Sequence, residues 1–185
     1  MLPEISLNIL DITENSTKAG ARNIYISVCA DFKKDRLTVI IKDDGCGMSK
    51  EQVKNVTDPF FTTRTTRKVG LGIPFFKEAA EKAGGSFLIE SEKNVGTSVK
   101  AEFVLSNIDR MPMGELDLTI WQLITQHTEV EFIFNFKIDD NEFSLNTLEF
   151  KEILGDIPLN SPDVSKYIKD YLDENIKATL KNKII

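Results

Sequence analysis

Residues 37–47 confine this chain more than any other stretch. LTVIIKD (Leu37 to Asp43) is a β-branched run that reads as a strand, and it passes straight into a second acid and two glycines, DDGCG. A strand that ends on Asp43 and Asp44 and turns through Gly45 and Gly47 brings carboxylates to the end of a sheet. The glycines let backbone come close to a base or sugar with no side chain in the way. A carboxylate facing such a pocket can accept a hydrogen bond from the exocyclic amine of adenine, which selects adenine over guanine. The same residues also suit a plain turn between strand and helix. The alternating oxygen ligands of a calcium loop are missing.

The upstream segment narrows the choice. Between Ile5 and Ala19, apolar residues fall at Ile5, Ile9, Ile12 and Ala19, with Leu7 and Leu10 beside them, and Gly20 is placed to end the helix. Asp11 and Asn15 are four apart and Lys18 three further on, so a carboxylate, an amide oxygen and an ammonium share one stripe. Magnesium takes oxygen ligands and keeps several waters, so one Asn oxygen plus phosphate oxygens would suit it. A carboxylate one turn earlier, Asp11, could orient a water toward a terminal phosphate. Glu14 lies about 100° around the helix from Asn15 and is worse placed for that job. The bland alternative is a solvated helix face, but apolar residues flank this stripe on both sides, as in a helix that walls a cleft.

Downstream, DPFFTTRTTRKVGLGI (Asp58 to Ile73) puts hydroxyls and basic side chains before Gly70-Leu71-Gly72 and a helix from Gly72 to Ala83. Those groups suit a polyphosphate at a helix N-terminus. There is no GxxxxGK[ST], so the segment is not a P-loop. Phe60-Phe61 reads as a hydrophobic anchor.

The other elements read as follows. Asn23 to Ala30 pairs with Leu37 to Asp43 as a hairpin, and Ser49 opens a short helix that Asp58-Pro59 breaks. Phe87 to Glu92 and Thr97 to Leu105 form a second strand pair turning at Asn94 to Gly96. Pro112 and Gly114 mark a boundary, followed by an amphipathic helix from Leu116 to Thr125. VEFIFNFKI and FSLNTLEF read as a further hairpin turning at Asp139 to Asn141, and Ser161-Pro162 opens a final helix to about residue 181. The formal charge of −6 argues against nonspecific binding to nucleic acid or anionic membrane, and no apolar run approaches a membrane span. Cys29 and Cys46 have no metal-ligand spacing, and the expectation is two reduced thiols in a cytoplasmic protein.

Taken in order, these segments resemble the boxes of the GHKL superfamily, which includes DNA gyrase B, the heat-shock chaperone ATPase, histidine kinases and mismatch-repair MutL. ENSTKAGA is similar to the N-box, DDGCGM to the first glycine box, DPFFTTR to the F-box and GLGI to the second glycine box. Gly96-Thr97 is similar to the last box, whose threonine supports the adenine-binding aspartate. The match covers about residues 3–106. The resemblance implies an α+β fold, a two-layer α/β sandwich with helices on one face of a mixed, mostly antiparallel sheet (the Bergerat fold). Residues 1–106 would be the ATP-binding domain, and residues 107–185 a helix, β-hairpin and helix extension that packs on the core or forms an interface.

Carried over by position, the resemblance implies ATP and Mg2+ as ligands. Asn15 would be the magnesium ligand, Asp43 the adenine reader and Lys18 a phosphate contact. Gly45, Gly47, Met48, Gly70, Leu71, Gly72 and Thr97 would shape the pocket, and Thr62, Thr63 and Arg64 would sit in a short lid. Members that hydrolyse ATP alone carry glutamate four residues before the Asn. Here that residue is Asp11, the candidate base but one methylene shorter, so binding is the firmer expectation. A histidine kinase needs a phospho-acceptor histidine on an upstream helix, whereas the sole histidine here, His127, lies downstream and reads as a surface or interface residue.

Three functions compete. The first is a kinase-type ATP-binding domain of the histidine-kinase or anti-sigma branch, which acts on a regulatory or substrate protein by phosphoryl transfer or ATP-dependent sequestration. The second is a slow ATPase switch of the mismatch-repair type, and the third a non-enzymatic scaffold. The Phe- and Ile-rich stretch after residue 107 reads as a structural extension that also offers a surface for association, with a homodimer as one form.

Overall fold

The helix that carries the polar stripe forms because its apolar residues recur at helical spacing, and in a computed structural model they are buried against the sheet. The structure describes residues 4–57 and 72–185. Helix α1 (Ile5–Lys18) buries Ile5, Ile9, Ile12 and Ser16 in one row. Its N-cap, Glu4, makes no side-chain cap bond. Instead the amides of Ile5 and Ser6 donate to the carbonyls of Pro112 and Met113, at 3.0 and 2.8 Å, so a distant loop satisfies two of the helix's orphan donors.

Strands β1 (Asn23–Asp31) and β2 (Arg36–Asp43) form the expected hairpin, with Asp35 at positive φ in the turn. Helix α2 (Lys50–Asn55) starts with a complete capping box, Ser49 with Gln52. Helix α3 (Gly72–Lys82) then leads to the antiparallel pair β3 (Ser86–Glu92) and β4 (Gly96–Val104). After α4 (Leu116–Gln126) come β5 (Glu131–Ile138) and β6 (Asn141–Asn146), and then α5 (Thr147–Leu154) and α6 (Pro162–Leu180).

The six strands make one mixed sheet in the order β3-β4-β2-β1-β5-β6. Every pairing is antiparallel except β1 with β5, which run parallel with Ile26 opposite Phe134. The expected α+β architecture is therefore the observed one, and the later hairpin continues the sheet beside β1. Alternation separates the two faces. Ile24, Ile26, Val28, Leu37, Val39, Ile41, Phe103, Phe132, Phe134 and Phe136 point to the buried face, where the helices pack. Tyr25, Ile40, Lys42, Lys100 and Ile133 alternate onto the other face, which is half-buried or exposed. Among the described residues no helix is long and apolar enough to cross a membrane.

One expectation fails. FSLNTLEF does not stay extended: β6 ends at Asn146 and Thr147 starts α5. Asn146 Oδ1 accepts the Leu148 amide at 3.0 Å, an N-cap that turns the strand into a helix. The buried Thr147 hydroxyl accepts the Phe132 amide at 2.8 Å and ties the helix start back to β5.

Phe134 is fully buried and touches Phe136 and Phe143 ring to ring. We expect Phe134→Ala to cost about 3–5 kcal/mol. Because β5 is hydrogen-bonded to β1, urea unfolding followed by both tryptophan fluorescence and far-UV circular dichroism should still show a single shared transition.

Candidate functional site

Asp43 sits at the end of β2, half-buried, where the sheet meets the last turns of α1. Ser16 Oγ donates to its Oδ2 at 2.6 Å and the Gly45 amide to its Oδ1 at 2.9 Å. The carboxylate is thus fixed from the helix on one side and from its own turn on the other. Ser16 is the residue that the motif reading missed. Its signal was in the sequence, as the polar member of the buried row Ile5, Ile9, Ile12, Ser16, where an apolar residue would otherwise be expected.

The glycine turn is locked onto the β3–β4 turn. Gly47 has φ +61, and a Cβ there would lie 1.9 Å from the Glu92 carbonyl oxygen. Gly96 has φ +136, and its Cβ would lie 1.9 Å from the Asp43 carbonyl oxygen. Both positions therefore exclude a side chain by backbone conformation and by space. The Asn94 amide donates to the Cys46 carbonyl at 2.8 Å, and the Cys46 amide to Ala19 at 2.9 Å. Ser91 Oγ accepts the Met48 amide at 2.8 Å and stands 2.9 Å from both the Gly96 carbonyl and Thr97 Oγ1. Thr97 is also the β4 partner of Asp43 in the sheet register. The structure thus brings Asp43, Gly45, Gly47, Met48 and Thr97 to one corner beside the end of α1.

Asp44 points the other way. Its carboxylate accepts the amides of Arg22 and Asn23 at 2.7 and 2.9 Å, and Asn23 Nδ2 at 2.7 Å. Desolvation alone would raise its pKa, but the Asn23 and Arg22 donors outweigh that and hold it below the usual carboxylate range.

Along α1, Asp11 and Asn15 are half-buried and Lys18 is exposed. Asp11 reaches the first residue of α3: a Cβ on Gly72 would fall 1.7 Å from Asp11 Oδ2, so a side chain there would require the carboxylate to move. The carboxylate therefore lies against the first residue of α3. Glu14 lies beside the stripe, next to Lys18, and reaches the C-cap of α4. Its Oε1 stands 2.7 Å from His127 Nε2 and its Oε2 3.5 Å from Lys18 Nζ. Desolvation would raise the Glu14 pKa, but His127 and then Lys18 outweigh it, so the side chain is held as a carboxylate. His127 is thus part of the seam between α1 and α4, a contact without any signal in local spacing.

Thr62, Thr63, Arg64, Gly70 and Leu71 lie outside the described residues, as does the Phe60-Phe61 anchor. Among the described residues no three His, Cys, Asp or Glu side chains gather into a metal cage.

The sequence profile of the histidine kinase-, DNA gyrase B-, and HSP90-like ATPase family matches residues 1–107. Sporulation kinase E of Bacillus subtilis (strain 168) is 31% identical over 96 residues, which are 52% of this chain and 13% of that protein. The sensor histidine kinase YxdK of the same strain is 32% identical over 75 residues, 38% of this chain and 23% of that protein. The chain therefore spans less than a quarter of the length of either relative. The solved Aquifex aeolicus MutL ATPase domain complexed with ADP superposes with a TM-score of 0.50 at 13% identity, covering 92% of this chain and 88% of that one. This last likeness is one of fold.

Asp44 yields a pH-dependent prediction. Its folded pKa lies below the ordinary value of 3.8, so its stabilising effect is complete above that value and fades as the pH falls through the lowered pKa. Asp44→Asn should therefore lower the urea midpoint at neutral pH, and its deficit should shrink toward zero in strong acid.

Proposed function

The chain belongs to the histidine kinase-, DNA gyrase B-, and HSP90-like ATPase family, and on that premise we propose that it binds Mg-ATP and acts on a protein partner. The observation that carries the proposal is the Asp43 carboxylate, held by Ser16 and Gly45 where the strand enters the Gly45-Cys46-Gly47 turn. Fixing both oxygens leaves lone pairs for a further donor, and an adenine amine is a donor of the right kind. Guanine presents an oxygen there and would repel the carboxylate.

Asn15 is one helical turn from Asp11 and on the same face as Lys18. Among the described residues no three His, Cys, Asp or Glu side chains gather, so a magnesium ion there would take most of its ligands from phosphates and water. Asn15 would hold the metal and Lys18 a phosphate oxygen. Asp11, against the start of α3, is close to where the terminal phosphate would meet helix amides. Thr62, Thr63, Arg64, Gly70 and Leu71 would complete the phosphate end, with Gly72 at its rim. The bound nucleotide supplies a transferable phosphoryl group, and the protein's part is to position it and neutralise its charge.

The kinase names of the curated relatives favour phosphoryl transfer to the partner, with ATP-dependent sequestration as the non-transferring form of the same activity. Residues 107–185 would act as the extension that supports the site and offers a surface to a partner or a second copy.

Calorimetry with ATP in magnesium buffer tests the binding claim. Heat should be measurable for ATP and absent for GTP, and Asp43→Asn should weaken ATP about 10- to 100-fold, the worth of a hydrogen bond to a charged group. Asn15→Ala should remove the magnesium dependence of affinity. No heat with ATP would end the proposal. Turnover tests Asp11 separately: as a general base, its replacement by Asn should cut hydrolysis about 100-fold or more. Unchanged turnover would leave Asp11 outside the chemistry.

A further inference from the structure

We infer that His127 is a positioning residue for the nucleotide site, holding Glu14 so that Lys18 is left to meet a phosphate. The inference rests on the Mg-ATP reading above and extends it to a residue beyond the stretch matched by the family.

Glu14 is the hinge of this arrangement. It directly precedes Asn15 and stands one turn before Lys18, so its carboxylate is the nearest counter-charge to that ammonium along the helix. Its two oxygens are shared between two claimants. His127 Nε2 takes one at 2.7 Å and Lys18 Nζ approaches the other at 3.5 Å. A carboxylate can only accept, so the imidazole is the donor and His127 is the shorter, better-formed partner.

Burial agrees with distance. The His127 and Glu14 side chains are 20% and 25% exposed, while Lys18 is 62% exposed and loosely held. His127 itself is fixed, for it caps α4 and its amide donates to Leu123 at 3.1 Å. Leu116, Ile120, Leu123 and Ile124 bury that helix in the core. The other charged group facing the ring is Glu129, 3.6 Å from Nδ1 and 71% exposed. The imidazole thus holds one Glu14 oxygen at the end of α4, which limits what that carboxylate can give to Lys18. Without it, Glu14 keeps one partner, Lys18, and competes with phosphate for the same ammonium.

The test measures displacement of a fluorescent ATP analogue by ATP and by adenosine, which lacks phosphates. His127→Ala should weaken ATP about two- to fivefold, the size of a partly exposed ion pair, and leave adenosine unchanged. His127→Gln, which keeps an N–H donor, should recover most of the loss. Adding Glu14→Gln to His127→Ala should restore ATP affinity, because the competitor is gone. Glu14→Gln alone should bind ATP more tightly than the wild type, an outcome that does not depend on how well His127→Ala folds. Equal losses for ATP and adenosine, no rescue in the double variant, or weaker ATP binding by Glu14→Gln would each overturn the inference while the Mg-ATP reading stands. A wild-type chain that binds no ATP overturns both.

Discussion

The seating of α1 on the sheet is the constraint on which the site depends. Ile5, Ile9 and Ile12 are buried in a row, and each large aliphatic side chain so buried contributes about 1.5–3 kcal/mol. The fourth member of that row, Ser16, gives up apolar contact to donate to Asp43 at 2.6 Å. One helix therefore does two things with one periodicity. Its inner row fixes the helix to β2 and aims a hydroxyl at the carboxylate, and the row beside it presents Asp11 and Asn15. Neither function survives a rotation of the helix by one residue, which would turn the polar stripe into the core.

The helix is also held from outside its own stretch of chain. Pro112 and Met113 cap its first turn, Glu14 meets His127 at its outer side, and Gly72 of α3 admits Asp11 at the third contact. The later part of the chain is thus built into the surroundings of the candidate site through backbone caps and one side-chain pair. The glycine turn is gripped in the same way by the β3–β4 turn, where two positive-φ glycines let carbonyls from opposite strands come within contact distance.

What was legible in the sequence was what has a period or a punctuation mark. The 3.6-residue row of α1, the β-branched runs of β1 and β2, and the turns at Asp35, Asn94 and Asp139 all appear where their residues put them. The stretch FSLNTLEF was misleading because two strand-forming residues, Phe143 and Leu145, alternate correctly before a capping Asn that also reads as a strand residue in a polar-apolar pattern. The parallel placement of β5 beside β1 left no local trace, since register between distant strands is a tertiary property. The same holds for the tie between Glu14 and His127. Ser16 is a middle case: its role was readable only by asking why a polar residue stood in an apolar row.

The position of β5 has a kinetic consequence. Helix α1, β1 and β2 are consecutive, and their hairpin closes over a short turn, so this unit can form early. Parallel pairing of β1 with β5 joins residues more than a hundred positions apart and must wait for the chain between them. Contacts of such long sequence separation slow folding, because loop-closure entropy is lost before the contact repays it. Without β5, that edge of β1 would be an unpaired strand rich in Ile, Val and Ala. The strand that must cross this long separation to reach β1 is therefore also the one that covers the β1 edge left open by the β1–β2 hairpin.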